Sequence, residues 1–194
     1  VITITSVNSV TGGILEFDWT GYGKGGLFVA TPSSSDVLQY SNDGISWGNA
    51  LLPSSGDWRS ITHSVLDDGS SDLKIGRFVA VRYGSNVAAY SDDGVSWNAT
   101  TLPASANWIS ITANRNGQYV AIADDSTTVA VSNDGVFWDI TGTLNATGFV
   151  SVVYGKGRYV AVKTGSTNAV EYSTDGVTWT QTDFATDISA TSVT

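Results

Sequence analysis

Short apolar runs rich in β-branched and aromatic residues alternate along the whole chain with clusters of Gly, Asn, Asp, Ser and Thr. That pattern predicts strands and turns rather than long helices. The runs recur in order. Leu27-Phe28-Val29-Ala30, Phe78-Val79-Ala80-Val81, Tyr119-Val120-Ala121-Ile122 and Tyr159-Val160-Ala161-Val162 form one set, and Val37 to Tyr40, Val87 to Tyr90, Val129 to Val131 and Ala169 to Tyr172 form a second. A third set, Trp58-Arg59-Ser60-Ile61-Thr62, Trp108-Ile109-Ser110-Ile111-Thr112 and Phe149-Val150-Ser151-Val152-Val153, is followed at the end by Ala190-Thr191-Ser192-Val193-Thr194.

The second set leads each time into one motif. Ser41-Asn42-Asp43-Gly44-Ile45-Ser46-Trp47, Ser91-Asp92-Asp93-Gly94-Val95-Ser96-Trp97, Ser132-Asn133-Asp134-Gly135-Val136-Phe137-Trp138 and Ser173-Thr174-Asp175-Gly176-Val177-Thr178-Trp179 share S-x-D-G-x-x-W, with their Trp residues spaced 50, 41 and 41. Asp-Gly between two strands signals a hairpin, because Gly accepts positive φ and the carboxylate can take backbone N–H groups inside the turn. The Trp beyond it is placed to bury a large ring between neighbouring sheets. Each unit thus reads as four strands, A (W-x-S-I-T), B (F-V-A-V), C before the box and D carrying the box Trp.

A four-stranded unit of about 41 residues repeated around an axis predicts an all-β fold, a β-propeller. The units fall at about 14–52, 53–102, 103–143 and 144–182, with a fifth begun over 183–194. Residues 1–13 stand apart as an N-terminal strand that closes the ring or links to something else. The extra length of the second unit lies between strands A and B, where Leu66 to Asp72 is a polar insertion.

These boxes resemble the Asp-box, or BNR repeat, of sialidase-type propellers, photosystem assembly factors and many bacteriophage virion proteins. The short form, one residue fewer between Asp and Gly than S-x-D-x-G-x-T-W, looks most like propeller segments of phage tail and fibre proteins. The resemblance covers roughly residues 14 to 194. It implies structural box residues Asp43, Gly44, Trp47, Asp93, Gly94, Trp97, Asp134, Gly135, Trp138, Asp175, Gly176 and Trp179.

Charge and composition narrow the function classes. Nine Lys and Arg against eighteen Asp and Glu give −9, and the cations are scattered, so no nucleic-acid surface is expected. No stretch approaches 18 consecutive apolar residues, which excludes a spanning helix. The absence of Cys leaves no disulfide, thiolate nucleophile or Cys-ligated zinc. Without a Met, and without a basic and apolar leader, the chain reads as a processed product or a piece of a longer one.

Catalytic constellations are sparse. The sialidase-like members of the resembled family clamp a carboxylate with three Arg and use a Tyr–Glu pair. Here Arg77 and Arg158 share a slot filled by Gln118 in the third unit, which reads as strand-end packing, and only Arg59 and Arg82 fall on the expected ligand face. Glu16 and Glu171 are the only glutamates. The pairs Asp67-Asp68, Asp92-Asp93 and Asp124-Asp125 lack calcium-loop spacing and read as solvated turns, so neither metal nor cofactor is expected. His63 reads as structural.

The D-to-A and B-to-C loops make the face opposite the boxes. There Trp58, Trp108 and Phe149 could present rings to a sugar, although packing between blades is their commoner role, and Arg82 with Tyr83 is the next candidate contact. These features yield the expectation of a non-enzymatic interaction or structural module of a virion or other extracellular surface. Its expected partners are other surface subunits, host glycans and further copies of itself. The alternatives are part of a sialidase-like glycoside-processing enzyme with catalytic residues outside this segment, and an assembly-factor propeller.

Overall fold

A computed structural model describes residues 7–12, 27–66, 74–164, 169–185 and 190–193. The insertion over 67–73 lies outside them. The described residues contain sixteen strands and no helix, in four antiparallel four-stranded sheets. The first sheet is β1 (Val7–Gly12), β2 (Phe28–Pro32), β3 (Ser35–Ser41) and β4 (Gly48–Gly56); the second is β5 (Trp58–Leu66), β6 (Lys74–Arg82), β7 (Ser85–Ser91) and β8 (Asn98–Ala106). The third is β9 (Trp108–Ala113), β10 (Tyr119–Ala123), β11 (Thr128–Ser132) and β12 (Ile140–Thr143); the fourth is β13 (Phe149–Gly155), β14 (Arg158–Lys163), β15 (Val170–Ser173) and β16 (Thr180–Thr182). Chain order is sheet order, as in propeller blades.

Residues 7–12, set apart in the sequence reading, are the A strand of the first sheet, pairing Val10 with Ala30 and Thr11 with Val29. The signal was present: Ser9-Val10-Thr11 stands one repeat before Ser60-Ile61-Thr62, without the leading aromatic residue. The A strands are stitched to one another around the inside of the arc. The Ser60 hydroxyl accepts the Ile111 N–H (3.2 Å), Ser110 accepts that of Val152 (3.1 Å), and Ser151 accepts that of Val193 (3.2 Å). The C-terminal Ala190–Val193 segment is therefore seated as the next A strand would be.

Each box closes the turn between strands C and D by the same bonds. In the first, Asp43 Oδ1 accepts the N–H groups of Ile45 (2.8 Å) and Ser46 (2.7 Å), and Ser41 Oγ donates to Asp43 and accepts from Gly44. The other three boxes repeat this geometry. The Ser46 and Ile45 amides hold the Asp43 carboxyl down to about 2. At Asp93 partial burial pushes upward, but the Ser96 and Val95 amides outweigh it and the value again falls to about 2. Asp134 and Asp175 are lowered as well. A folded pKa below the unfolded one, near 3.9, contributes stability that is complete above that value and is lost as pH falls through the folded value. The urea midpoint should therefore drop between about pH 4 and pH 2, and Asp134→Asn should flatten that drop. A midpoint constant over this window would remove the carboxylates from the account of the turns.

The core lies between sheets. The first and second bury Val29, Leu38, Leu52, Trp58 and Phe78 together, with Trp97 against them. The second and third bury Val79, Leu102, Trp108, Tyr119 and Trp138, and the third and fourth bury Val120, Leu144, Phe149, Tyr159 and Trp179. From the second sheet on, each box Trp thus packs on the preceding sheet. The expectation that all four are buried needs correction: Trp138 and Trp179 are 6% and 7% exposed, Trp97 is partly buried, and Trp47 is 39% exposed. Trp47 differs because no described sheet precedes the first.

Candidate functional site

The hairpin loops opposite the boxes gather at the mouth of the arc, where the A strands begin. Strand B ends here in each blade and the D-to-A loop passes beside it, tied by Tyr83 N–H to the Asp57 carbonyl (2.8 Å) and by Asp124 N–H to the Asn107 carbonyl (3.2 Å). Tyr83 and Asp124 occupy the same position of successive B-to-C loops, five residues after Phe78 and Tyr119. Repetition around the arc makes them neighbours.

The rings expected to meet a sugar are elsewhere. Trp58, Trp108 and Phe149 are fully buried, and the indoles donate inward, Trp58 Nε1 to the Ser54 carbonyl and Trp108 Nε1 to the Ala104 carbonyl, both at 3.1 Å. Their place in the W-x-S-I-T element turns them into the joint between sheets, so they pack blades and are closed to a ligand. Arg82 is held by a bond from Nη1 to Ser54 Oγ (3.1 Å), while its Nε is buried without a hydrogen-bond partner.

Tyr83 stands at the mouth as expected. The Arg59 guanidinium lies 4.7 Å from its ring centroid and also pairs with Asp57 at 2.7 Å. Partial desolvation raises the Tyr83 hydroxyl above its ordinary value; Asp124 and Asp125 raise it further and Arg59 opposes them. The acidic pair is thus part of the mouth rather than a solvated turn. Asp125 Oδ1 accepts the Asn107 N–H (2.8 Å), and Asp124 Oδ1 is buried with no hydrogen-bond partner. Sequence reasoning passed over both residues because it judged the pair by calcium-loop spacing. Among the described residues no group of three or more His, Asp or Glu is placed to hold a metal ion.

Two other candidates are structural. Arg77 binds Asp92 through Nε (2.7 Å) and the Asp134 carbonyl through Nη1 (2.7 Å), clamping the next box. His63 packs on Phe78 with centroids 4.3 Å apart, and burial pushes its pKa down while the Gly76 backbone opposes this. Glu171, almost fully buried, accepts the Asn145 N–H (3.0 Å) and Nδ2 (3.1 Å), pinning the loop into the fourth sheet.

The fold is that of known β-propellers. Virginiamycin B lyase from Staphylococcus aureus superposes with a TM-score of 0.69 at 13% identity, over 83% of this chain and 53% of the lyase. A streptogramin B lyase gives 0.66 at 11% identity over 91% and 59% of the two chains, and YCF48 bound to D1 peptide gives 0.54 at 18% over 83% and 50%. The chain spans about half the length of these propellers. No family model matches it, and no curated protein matches it. The lyases correct the expectation of a non-enzymatic module, since in both of them this architecture belongs to an enzyme. A propeller with few catalytic signatures in its sequence is therefore no ground for denying activity.

Proposed function

We propose that this chain is a recognition module of a virion or other extracellular surface, and that its mouth binds a neutral, hydroxyl-rich glycan through Arg59, Tyr83 and Asp124. The observation that carries the reading is the meeting of the Tyr83 hydroxyl with the Asp124 carboxylate at the mouth, beside the Arg59 guanidinium on the Tyr83 ring. A sugar hydroxyl, both donor and acceptor, can join such a hydroxyl–carboxylate pair. The Tyr83 ring supplies an amphipathic surface, and the guanidinium of Arg59 supplies donors to ring and exocyclic oxygens. Asp57, Asp124 and Asp125 against Arg59 and Arg82 leave the mouth without positive charge, which favours a neutral over an anionic saccharide. The short Asp-box is the sequence feature that supports the virion setting.

Titration with neutral host surface polysaccharides tests this. Asp124→Asn should weaken binding by about 10-fold or more, the usual worth of a hydrogen bond to a charged group. Tyr83→Ala should act similarly, and Asn133→Ala on the box face should change nothing. Binding indifferent to Asp124 and Tyr83, or lost with box-face residues, would overturn the reading.

A further inference from the structure

Asp or Asn followed by Gly is where a chain most readily attacks itself, because Gly has no Cβ to shield its nitrogen from the side-chain carbonyl one residue back. All four boxes carry this pair, at Asp43-Gly44, Asp93-Gly94, Asp134-Gly135 and Asp175-Gly176, and their geometry disarms it. Each Gly N–H is given to the box Ser hydroxyl at 2.8 Å, which occupies the nucleophile. Each Asp Oδ1 is fixed at 2.7–2.8 Å by the amides two and three residues on. All four carboxyls are lowered, so they stay ionised at neutral pH, and a carboxylate has no good leaving group. A fifth pair, Asp68-Gly69, lies outside the described residues.

The single Asn-Gly pair, Asn116-Gly117, has no such guard. It sits in the turn from β9 to β10, where Asn116 is exposed and its side-chain amide has no hydrogen-bond partner among the described residues. The Gly117 N–H reaches the Asn114 carbonyl only at 3.4 Å. The same turn ties three sheets together. The Asn114 carbonyl accepts the Ser64 hydroxyl of the second sheet (3.0 Å), and Gln118 Oε1 accepts the Tyr159 hydroxyl of the fourth (2.7 Å). Asn114 Oδ1 sets the turn by accepting the N–H groups of Asn116 (2.9 Å) and Gln118 (3.0 Å).

We propose that Asn116 is a site of self-modification, at which the folded chain deamidates while its four box Asp-Gly pairs stay intact. The Gly117 nitrogen attacks the Asn116 side-chain carbonyl carbon, the new C–N bond closes a succinimide, and the amide leaves as ammonia with the proton from Gly117. Water then opens the ring at either carbonyl, leaving Asp or isoaspartate at position 116. Both products add a negative charge. The isoaspartate also routes the main chain through Cβ, adding one backbone atom between Asn114 and Gln118. That insertion spoils the turn geometry on which the bonds to Ser64 and Tyr159 depend, so the modification loosens the third sheet from its neighbours.

Peptide mapping that separates Asp from isoaspartate tests this, on folded and urea-unfolded protein aged side by side at mildly alkaline pH. The comparison at each site cancels the intrinsic difference between Asn-Gly and Asp-Gly. Asn116 should convert in the folded chain within about 10-fold of its unfolded rate, since one long hydrogen bond must open. Each box should isomerise about 100-fold or more slower folded than unfolded, since three bonds must open together. Ser132→Ala should speed isomerisation at Asp134 and leave the other three boxes unchanged. The isoaspartyl fraction, separated by anion exchange, should unfold at lower urea than Asn116→Asp, which carries the charge without the extra backbone atom. An Asn116 that survives folded but converts unfolded, boxes that react at their unfolded rate, an unchanged Asp134 in Ser132→Ala, or an isoaspartyl fraction as stable as Asn116→Asp would each overturn the proposal.

Discussion

Trp108→Ala lowers the unfolding free energy by about 3–5 kcal/mol, the range for truncating a fully buried Trp. The ring is 0% exposed, packs with Val79, Leu102 and Trp138 between the second and third sheets, and loses its bond to the Ala104 carbonyl. Trp179→Ala falls in the same range because its ring is buried against the third sheet and its Nε1 donates to the Gly176 carbonyl at 3.0 Å. Trp47→Ala loses less, about 1–2 kcal/mol, since the residue is 39% exposed. Urea unfolding reads all three. Equal losses at Trp47 and Trp179 would contradict the order of the sheets.

Gly135→Ala is expected to cost about 2–5 kcal/mol, from two separable sources. Its φ of +73° is a left-handed conformation that an L side chain pays about 1–2 kcal/mol to adopt. The added methyl then presses on Val79 and on the Tyr119 ring, and a β-branched Val in a strand has little freedom to turn away, adding about 1–3 kcal/mol. Gly44→Ala isolates the first source. Its φ is +72°, but the nearest atom to a new Cβ is Phe28 Cε2 at 3.6 Å, an ordinary contact. The difference between the two variants measures the joint itself, and chemical denaturation under identical conditions gives it. Indistinguishable losses would mean that no sheet packs against the box of the third.

What was legible in the sequence was local. The Asp-Gly turns, the strands on either side of them and the A-strand element are set by residues within a few positions of one another, so four sheets could be read directly. The first A strand was missed because Ser9-Val10-Thr11 lacks the aromatic that marks its counterparts. Trp47 and Trp138 have the same motif, and only the presence or absence of a preceding sheet separates an exposed ring from a buried one. That is a property of neighbours, which no window around the residue contains. The mouth was obscured for a related reason. Tyr83 and Asp124 lie 41 positions apart, and only their equivalence within the repeat announces that they meet. Trp58 and Trp108 drew attention as aromatic residues beside polar loops, but the same alternation that starts an A strand there turns their rings inward.

The central claim is that each box Trp lies against the preceding sheet, so that the first alone is left uncovered. Hydroxyl-radical footprinting read by mass spectrometry measures this residue by residue. Trp47 should be oxidised many times faster than Trp138 and Trp179, with Trp97 between them and Trp58 and Trp108 protected. Oxidation of Trp138 and Trp179 as fast as that of Trp47, or a fully protected Trp47, would contradict this order of the sheets.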